Sequence, residues 1–246
     1  MEKVIEVKNL KKKYKNNEAL KGLDFDLYKG EILGILGPNG AGKSTTINIL
    51  STILKKDEGE ILYFGEPLTE KNINKVKSKL GIVPQDLAIF EDISAYKNIT
   101  FFASLYGIKG EELERATDYA LEFAGLTGRK NDKPKTYSGG MKRRLNIACS
   151  IAHKPEILIL DEPTVGIDPQ SRNHILEDLK KLKMEGTTII YTTHYMEEIE
   201  QIADRVVIVD NGKKIEEGTI GELLDKYSEE NLESLFLDIT GKNLRD

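Results

Sequence analysis

Hydrophobic and polar residues alternate in short stretches near the N-terminus. In residues 4–10 and 24–27, apolar side chains alternate with charged ones. Residues 60–64 form a further short stretch that contains Ile, Leu, Tyr and Phe. A period of two with one polar face is typical of half-exposed antiparallel strands. The first third of the chain therefore predicts an antiparallel β lobe.

A second kind of stretch is short and mainly apolar, without a polar face. These runs cover residues 32–36, 157–160, 188–193 and 206–209. Helical spacing of apolar residues separates them, with one face formed by Ile47, Leu50, Ile53 and Leu54 and another by Ile175, Leu179 and Leu182. Strands that alternate with helices predict a parallel sheet with helices on both sides, and so an α/β fold.

The middle of the chain is different, because residues 95–153 contain no convincing strand pattern. Two amphipathic helical faces are visible there, formed by Ile99, Phe102, Ala103 and Tyr106 and by Leu113, Ala116, Ala120 and Ala124. We therefore expect a helical lobe inserted into the α/β core at about residues 87–152.

The apolar run 32–36 leads directly into a glycine-rich motif of the form G-x-x-x-x-G-K-[ST]. The candidate nucleotide-binding residues are Gly37, Pro38, Asn39, Gly40, Ala41, Gly42, Lys43, Ser44 and Thr45. Glycines let backbone N–H groups surround phosphate oxygens, and the following helix directs its N-terminus at the anion. Lys43 would contact the β- and γ-phosphates and Ser44 would bind Mg²⁺. This predicts a P-loop NTPase core, without separating kinases, GTPases, helicases and transporter ATPases.

The run 157–160 ends in two carboxylates, Asp161 and Glu162. A buried strand that delivers carboxylates at its tip fits a Walker B element. Asp161 would bind Mg²⁺, and Glu162 would orient and deprotonate the attacking water. The alternative is a carboxylate pair that only caps the strand before Pro163.

A second glycine-containing segment, Ser138-Gly139-Gly140-Met141, begins a helical pattern 23 residues before Asp161. Ser138 is a candidate N-cap, and exposed N–H groups at a helix start form an anion site. One chain does not need two triphosphate sites, whereas two chains that face each other do. The segment resembles the signature motif of ABC ATPases, which would act on ATP bound to the opposite chain.

The resemblance to ABC ATPases covers nearly the whole chain. It implies that Tyr14 stacks on adenine, and that Gln85 touches Mg²⁺ and links the site to a membrane subunit. It further implies that Asp168 belongs to the D-loop and that His194 is the switch histidine at the γ-phosphate. Glu162, His194 and Gln85 are then the candidate catalytic residues, and Ser44, Gln85 and Asp161 the candidate metal ligands.

Two positions depart from the signature of the family. Tyr137 stands where leucine is usual, and Met141 stands where glutamine is usual, so the resemblance does not imply the family's glutamine contact here. The string YSGGMKRRLNIA and the tail 232–246 resemble the branch that exports drugs, antibiotics, sodium or polysaccharides.

The resemblance implies a subunit that binds and hydrolyses ATP with Mg²⁺ and powers transport through a separate membrane permease. Its partners would be an integral membrane permease and a second copy of itself or a paralogue.

Composition fits this expectation. The net charge of −5 argues against a general nucleic-acid binder. The single Cys149 fits a reducing compartment, and no apolar run approaches the roughly 20 residues of a spanning helix. We expect a cytoplasmic protein, peripheral on the inner face of the cell membrane.

Other functions are kept open. Some ABC ATPases act on DNA or ribosomes, and a nucleotide-sensing regulator would bind ATP without turnover.

Residues 1–222 are expected to form the ATPase domain, with residues 223–246 as a tail packed on it or on the dimer mate. We expect His153 and His174 to be structural. The basic runs 11–13 and 142–144 are expected to be solvated.

Overall fold

The computed structural model describes residues 1–15 and 17–241. Within these residues the chain forms two β-sheets and three clusters of buried hydrophobic side chains. No helix in this part of the chain is both long enough and apolar enough to cross a bilayer.

The strands follow one another along the chain as β1 (Lys3–Tyr14), β2 (Asn17–Tyr28), β3 (Ile32–Leu36), β4 (Glu58–Tyr63), β5 (Glu66–Pro67), β6 (Leu80–Val83), β7 (Ile157–Asp161), β8 (Thr188–Thr193), β9 (Arg205–Asp210) and β10 (Lys213–Thr219). The α-helices are α1 (Lys43–Leu50), α2 (Ile73–Lys77), α3 (Ala95–Leu105), α4 (Gly110–Phe123), α5 (Gly139–Ile151), α6 (Pro169–Met184), α7 (Met196–Ile202), α8 (Ile220–Tyr227) and α9 (Leu232–Thr240).

The central sheet has the strand order β10-β9-β3-β8-β7-β6. Neighbouring strands are parallel except for β10, which pairs antiparallel with β9 at the edge. Each of the four apolar runs lies in this sheet, so the predicted α/β class is confirmed. In β3, Leu33 and Ile35 pack in the cluster that contains the N-terminal lobe, and Ile32 and Leu36 pack in the cluster on the opposite face. The pattern at residues 213–219 did not predict β10.

A separate sheet has the order β2-β1-β4-β5, with antiparallel pairing throughout. Its strands alternate buried and more exposed residues, as the sequence pattern predicts. Both β1 and β2 are longer than the alternating stretches, because their irregular register includes bulges that interrupt the period of two.

Helices α3, α4 and α5 share the third hydrophobic cluster, which is rich in alanine and includes Ile99, Leu121 and Leu145. They therefore form a helical layer of their own beside the central sheet, in the region where the sequence predicts an inserted lobe. Cys149 is buried in this cluster, and burial raises the pKa of its thiol. It acts there as a small apolar residue.

The first helix after the glycine-rich loop is shorter than predicted. It ends at Leu50, and Thr52 adopts a left-handed backbone conformation with φ of 60°. That conformation turns the chain out of the helix. Ile53 is consequently 69% exposed instead of lying on the buried helical face, whereas Leu54 still packs against the core.

The prediction that the basic run 142–144 is solvated was wrong for Arg143. This residue is buried, and its guanidinium donates hydrogen bonds to the carbonyl oxygens of Pro84 (3.2 Å) and Gln85 (2.8 Å). Arg144 donates to the carbonyl of Ala124. Instead of facing solvent, the guanidinium groups of Arg143 and Arg144 donate hydrogen bonds to backbone carbonyls at the ends of other secondary-structure elements.

The last two described helices pack on the rest of the chain. Thr219 and Glu222 form a reciprocal capping box that begins α8. In α9, Leu232 and Leu235 are fully buried in the same cluster as α6 and α7. The tail is thus held by this chain's own core as far as Thr240. The predicted tail extends to residue 246, and its last five residues lie outside the described ones.

His153 makes stability depend on pH. Its Nε2 lies 3.0 Å from the Leu80 carbonyl, its ring stacks on Tyr106 with centroids 3.5 Å apart, and burial lowers its pKa to about 4. The folded state therefore disfavours the protonated ring, so this contribution is complete above about pH 6.5 and is lost as pH falls toward 4.

We expect the free energy of unfolding to fall by about 2 kcal/mol more between pH 7 and pH 5 in the parent protein than in His153→Gln. Urea unfolding at both pH values measures this difference. Substitution of the exposed His174 by Gln is the control. Equal pH slopes in the parent and His153→Gln would show that His153 does not contribute.

Candidate functional site

The glycine-rich loop connects β3 to the N-terminus of α1. Gly42 has a φ of 107°, and a Cβ at this position would lie 2.7 Å from Leu20 Cδ2 and 2.8 Å from the Ala19 carbonyl oxygen. Only glycine fits both the backbone conformation and the space. The tight turn that follows places the first N–H groups of α1 beside the loop, where an anion would be stabilised.

Lys43 is buried at the base of this loop. Its Nζ donates to the carbonyl oxygens of Gly37 (2.7 Å) and Pro38 (3.1 Å), and lies 3.7 Å from Glu162 Oε1. Burial lowers the pKa of Lys43, and the neighbouring Glu162 and Asp161 carboxylates oppose that shift. The ammonium thus joins the loop to the carboxylates at the end of β7.

Thr192 fixes the end of β7. It lies opposite Asp161 in the parallel pairing of β7 and β8, and its hydroxyl donates to Asp161 Oδ1 at 2.6 Å. The backbone N–H of Glu162 donates to the Thr192 hydroxyl (3.1 Å) and to its carbonyl (3.0 Å). Glu162 has a φ of 47°, which is uncommon for a residue with a side chain. Thr192 therefore holds the strained turn that directs the Glu162 side chain.

His194 follows β8 directly, and its Nδ1 lies 3.2 Å from Glu162 Oε2. The two oxygens of the buried Glu162 carboxylate thus face different partners, Lys43 on one side and His194 on the other. An ammonium, a carboxylate and an imidazole in this order are suited to handling protons and negative charge next to a bound phosphate.

A cavity of about 280 Å³ opens beside these residues. Its lining brings together residues from the loop, the β1–β2 hairpin and the segment after β6: Tyr14, Asn17, Ala19, Pro38, Asn39, Gly40, Gly42, Lys43, Ser44, Thr45, Gln85 and Glu162. Tyr14 is 44% exposed at this cavity. The predicted residues Gly37, Ala41, Asp161 and His194 do not line this cavity. Gly37 accepts a hydrogen bond from the lining residue Lys43, and His194 contacts the lining residue Glu162.

Sequence analysis did not identify Asn17, Ala19 and Thr192 as members of this site. Asn17 and Ala19 follow Tyr14 across the turn between β1 and β2, so proximity in sequence was an available signal. A threonine at the end of an apolar strand was the available signal for Thr192.

The signature segment lies apart from this cavity and begins α5. Ser138 caps the helix by accepting a hydrogen bond from the Met141 N–H at 3.2 Å. Ser138 and Gly139 are exposed. Gly140 is buried against α6, where a Cβ would lie 2.2 Å from Ser171 Oγ. The segment therefore presents a helix N-terminus at the surface, and none of its residues lines the chain's own loop cavity.

The two departures from the usual signature have structural partners. Tyr137 is buried in the helical cluster, and its hydroxyl donates to the Arg129 carbonyl at 2.7 Å. Met141 is partly buried against the same cluster. Asp168, in the predicted D-loop, caps α6 by accepting a hydrogen bond from the Ser171 N–H at 2.9 Å. This hydrogen bond lowers the pKa of Asp168.

The family model described as ABC transporter matches residues 20–165, which is more than half of the chain. The chain belongs to the ABC transporter family. The match spans the phosphate loop, the signature segment and the end of β7, so it covers the elements that build the site.

Similar proteins narrow the type of ABC protein. The linearmycin resistance ATP-binding protein of Bacillus subtilis (strain 168) is 46% identical over 240 residues, covering 98% of this chain and 76% of that protein. The Nod factor export ATP-binding protein I of Cupriavidus pinatubonensis (strain JMP 134 / LMG 1197) is 38% identical over 222 residues, covering 90% and 68%. This chain is an ABC ATP-binding subunit of the exporter type.

A solved structure connects the fold to the reaction. A dimeric post-hydrolysis state of an ATP-binding cassette, bound to ADP and Pi, superposes with a TM-score of 0.79 at 29% identity. The match covers 87% of this chain and 98% of that one. The ABC subunit described here is accordingly an ATP-binding ATPase.

Proposed function

We propose that this ATPase powers export through a separate membrane permease, by closing as a dimer around ATP and reopening after hydrolysis. The placement of Glu162 carries the proposal. Its carboxylate lies between Lys43 and His194 and lines the cavity of the phosphate loop. A carboxylate, an ammonium and an imidazole thus lie together, which supports their proposed roles as general base, phosphate-binding cation and switch histidine.

ATP would occupy the loop cavity with its triphosphate on residues 37–45 and its adenine on Tyr14. Tyr14 and the loop line one continuous cavity, which supports this placement. The half-exposed phenol ring offers a face on which a base can stack, and Lys43 offers an ammonium to the β- and γ-phosphates.

Mg²⁺ would be held by Ser44, Asp161 and Gln85. A hydroxyl, a carboxylate and an amide are hard oxygen donors, the ligands that Mg²⁺ prefers. In residues 1–15 and 17–241 no group of three or more His, Cys, Asp or Glu side chains could hold a metal. A site with one carboxylate, completed by phosphate oxygens, is common for this ion. When bound, Mg²⁺ neutralises charge on the phosphates.

Hydrolysis would depend on Glu162 and His194. Glu162 accepts the proton of the attacking water, whose oxygen forms a bond to the γ-phosphorus while the bond to ADP breaks. The negative charge of the transferred group then faces Lys43 and His194. The hydrogen-bonded contact at 3.2 Å lets His194 hold the Glu162 carboxylate in place.

The signature residues Ser138, Gly139, Gly140 and Met141 would cover the γ-phosphate held by the opposite chain. Their exposed helix start, separate from the chain's own cavity, supports action in trans. Asp168 orders the start of α6 next to this surface and would form the D-loop contact. The opposite chain is a second copy or a paralogue.

The permease would place this subunit at the inner face of the cell membrane, with Gln85 as the link between ATP and the membrane subunit. Gln85 is exposed and lines the cavity, so it can reach both sides. The direction of transport is proposed from the exporter-type relatives.

Co-purification tests the transport proposal. The chain would be tagged in its own cell, the membranes solubilised in mild detergent, and the bound proteins identified. We expect a polytopic membrane protein in stoichiometric amount. Recovery with ribosomes or DNA, or as the free chain alone, would leave the ATPase assignment and contradict the transport proposal.

A further inference from the structure

A buried carboxylate lies outside the nucleotide cavity. Glu198 in α7 is 1% exposed. Its Oε1 accepts a hydrogen bond from Thr164 Oγ1 at 2.7 Å, and its Oε2 accepts from the Tyr191 hydroxyl and from Thr193 Oγ1, both at 2.8 Å. Arg172 Nε lies 3.3 Å from Oε1. Three hydroxyl groups therefore donate hydrogen bonds to this carboxylate, and the Arg172 guanidinium adds an ion pair. We name these five residues the Glu198 cluster.

The partners of Glu198 come from three segments of the proposed site. Thr164 follows Glu162 by two positions, and Arg172 lies in the first turn of α6, where its N–H bonds to the Asp168 carbonyl. Tyr191 and Thr193 belong to β8, which ends one residue before His194. One carboxylate thus joins the segments that carry the general base, the D-loop and the switch histidine.

The backbone around His194 is held from both sides. Thr193 Oγ1 donates to Glu198 and accepts a hydrogen bond from the Tyr195 N–H at 3.0 Å. The Tyr195 ring packs beside the His194 ring with centroids 4.1 Å apart. The Arg172 guanidinium also lies 4.9 Å from the centroid of the Tyr195 ring. The orientation of the histidine ring therefore depends on groups that Glu198 fixes.

This arrangement depends on two acceptor oxygens at position 198. Burial, reinforced by the nearby Glu198 carboxylate, raises the pKa of Tyr191. The phenol therefore keeps its proton and donates a hydrogen bond to Glu198. A neutral amide at position 198 would present N–H donors where hydroxyl donors now point. Some of the cluster would then lose its acceptor, and a buried donor without a partner is costly. The surrounding segments would shift to relieve that cost.

We propose that Glu198 is a positioning residue for ATP hydrolysis, which orients His194 against Glu162. The proposal rests on the hydrolytic roles proposed above for Glu162 and His194. Glu198 touches neither the cavity nor the reacting groups, so it acts through its neighbours. Its loss should lower kcat while leaving the affinity for ATP within about twofold, because the phosphate loop does not contact it.

The test compares Glu198→Gln with Glu197→Gln, a matched change at the exposed neighbour on the same helix. We expect kcat to fall roughly 10–100-fold in Glu198→Gln, the scale of a misplaced catalytic group, and to stay unchanged in Glu197→Gln. ATP titration and the melting temperature verify that each variant is folded and binds nucleotide. If Glu198→Gln does not fold, Thr193→Val removes one donor at nearly constant volume and should lower kcat in the same direction. Normal kcat in either folded variant would overturn the proposal.

A cycle with His194→Ala separates positioning from general destabilisation. If Glu198 acts through His194, the double variant turns over no more slowly than His194→Ala alone. Two losses of kcat that multiply would overturn the proposal, because they would show that Glu198 acts independently of His194. Normal turnover in His194→Ala itself would instead contradict the proposed role of the histidine, whatever Glu198 does.

Discussion

Glu162→Gln is expected to bind ATP normally and to hydrolyse it about 10²–10⁴-fold more slowly than the parent protein, the range attributed to a general base. Glutamine keeps the size of the side chain and its contact with His194, but it cannot accept the proton of water. Lys43 remains in place to hold the phosphates. Phosphate release under saturating ATP measures the rate, and a nucleotide titration measures the affinity.

Two further variants accompany the Glu162→Gln experiment, one as its control and one as a test of the shared site. Glu70, whose side chain is 95% exposed, gives a Glu→Gln change outside the site. Gly139→Asp, added to Glu162→Gln, tests the shared site. A Cβ at Gly139 would have no contact nearer than 3.9 Å, and a carboxylate suits a helix N-terminus. The added charge should leave the chain folded and repel the γ-phosphate of the opposite chain.

Sedimentation with ATP should therefore show a dimer for Glu162→Gln and a monomer for the double variant. A dimer in both would contradict action of the signature in trans. Near-normal turnover of Glu162→Gln would contradict its assignment as the general base, and in that case the carboxylate would serve only to hold Lys43 and His194.

Lys43→Ala is expected to weaken ATP binding about 10–100-fold, because hydrogen bonds to charged groups contribute about 1.5–3 kcal/mol. The substitution also leaves Asp161 and Glu162 without the buried cation between them and the loop, so their charges oppose an incoming triphosphate more strongly. Isothermal titration with ATP measures the change. Lys55→Ala, at a side chain that is 94% exposed, is the control.

Unchanged affinity in Lys43→Ala would contradict the assignment of the phosphate loop. A melting temperature measured beside the titration shows whether the variant is folded. Loss of binding in a folded variant, with normal binding in Lys55→Ala, is the result that supports the proposed role.

Local patterns were sufficient to predict four strands of the central sheet, β3, β7, β8 and β9. A buried parallel strand needs a short apolar run, which is visible in the sequence. The glycines and lysine of the phosphate loop follow β3 directly, so residues that are close in the sequence are also close in the structure. The edge strand β10 was not predicted, because its residues are mostly charged and only half-buried, without the apolar signal of the inner strands.

Residues that act across elements were harder to identify. Thr192 meets Asp161 only through the pairing of β7 with β8, and this pairing joins positions 31 residues apart. Arg143 lies in a run of basic residues that is typical of a solvated surface, yet its position on α5 turns it toward the end of β6. A run of charged residues indicates that burying one of them would be costly. It does not reveal the distant carbonyls whose hydrogen bonds offset that cost.

The buried position of Arg143 has a mechanical consequence. Its guanidinium bonds to two consecutive carbonyls after β6, and Asn146, one turn further along α5, accepts a hydrogen bond from the Ala88 N–H at 3.1 Å. Separating α5 from residues 84–88 would leave a buried cation without partners, which is costly. We expect the helical layer and this segment to move as one rigid body, so that any hinge between the layer and the central sheet lies elsewhere along the chain.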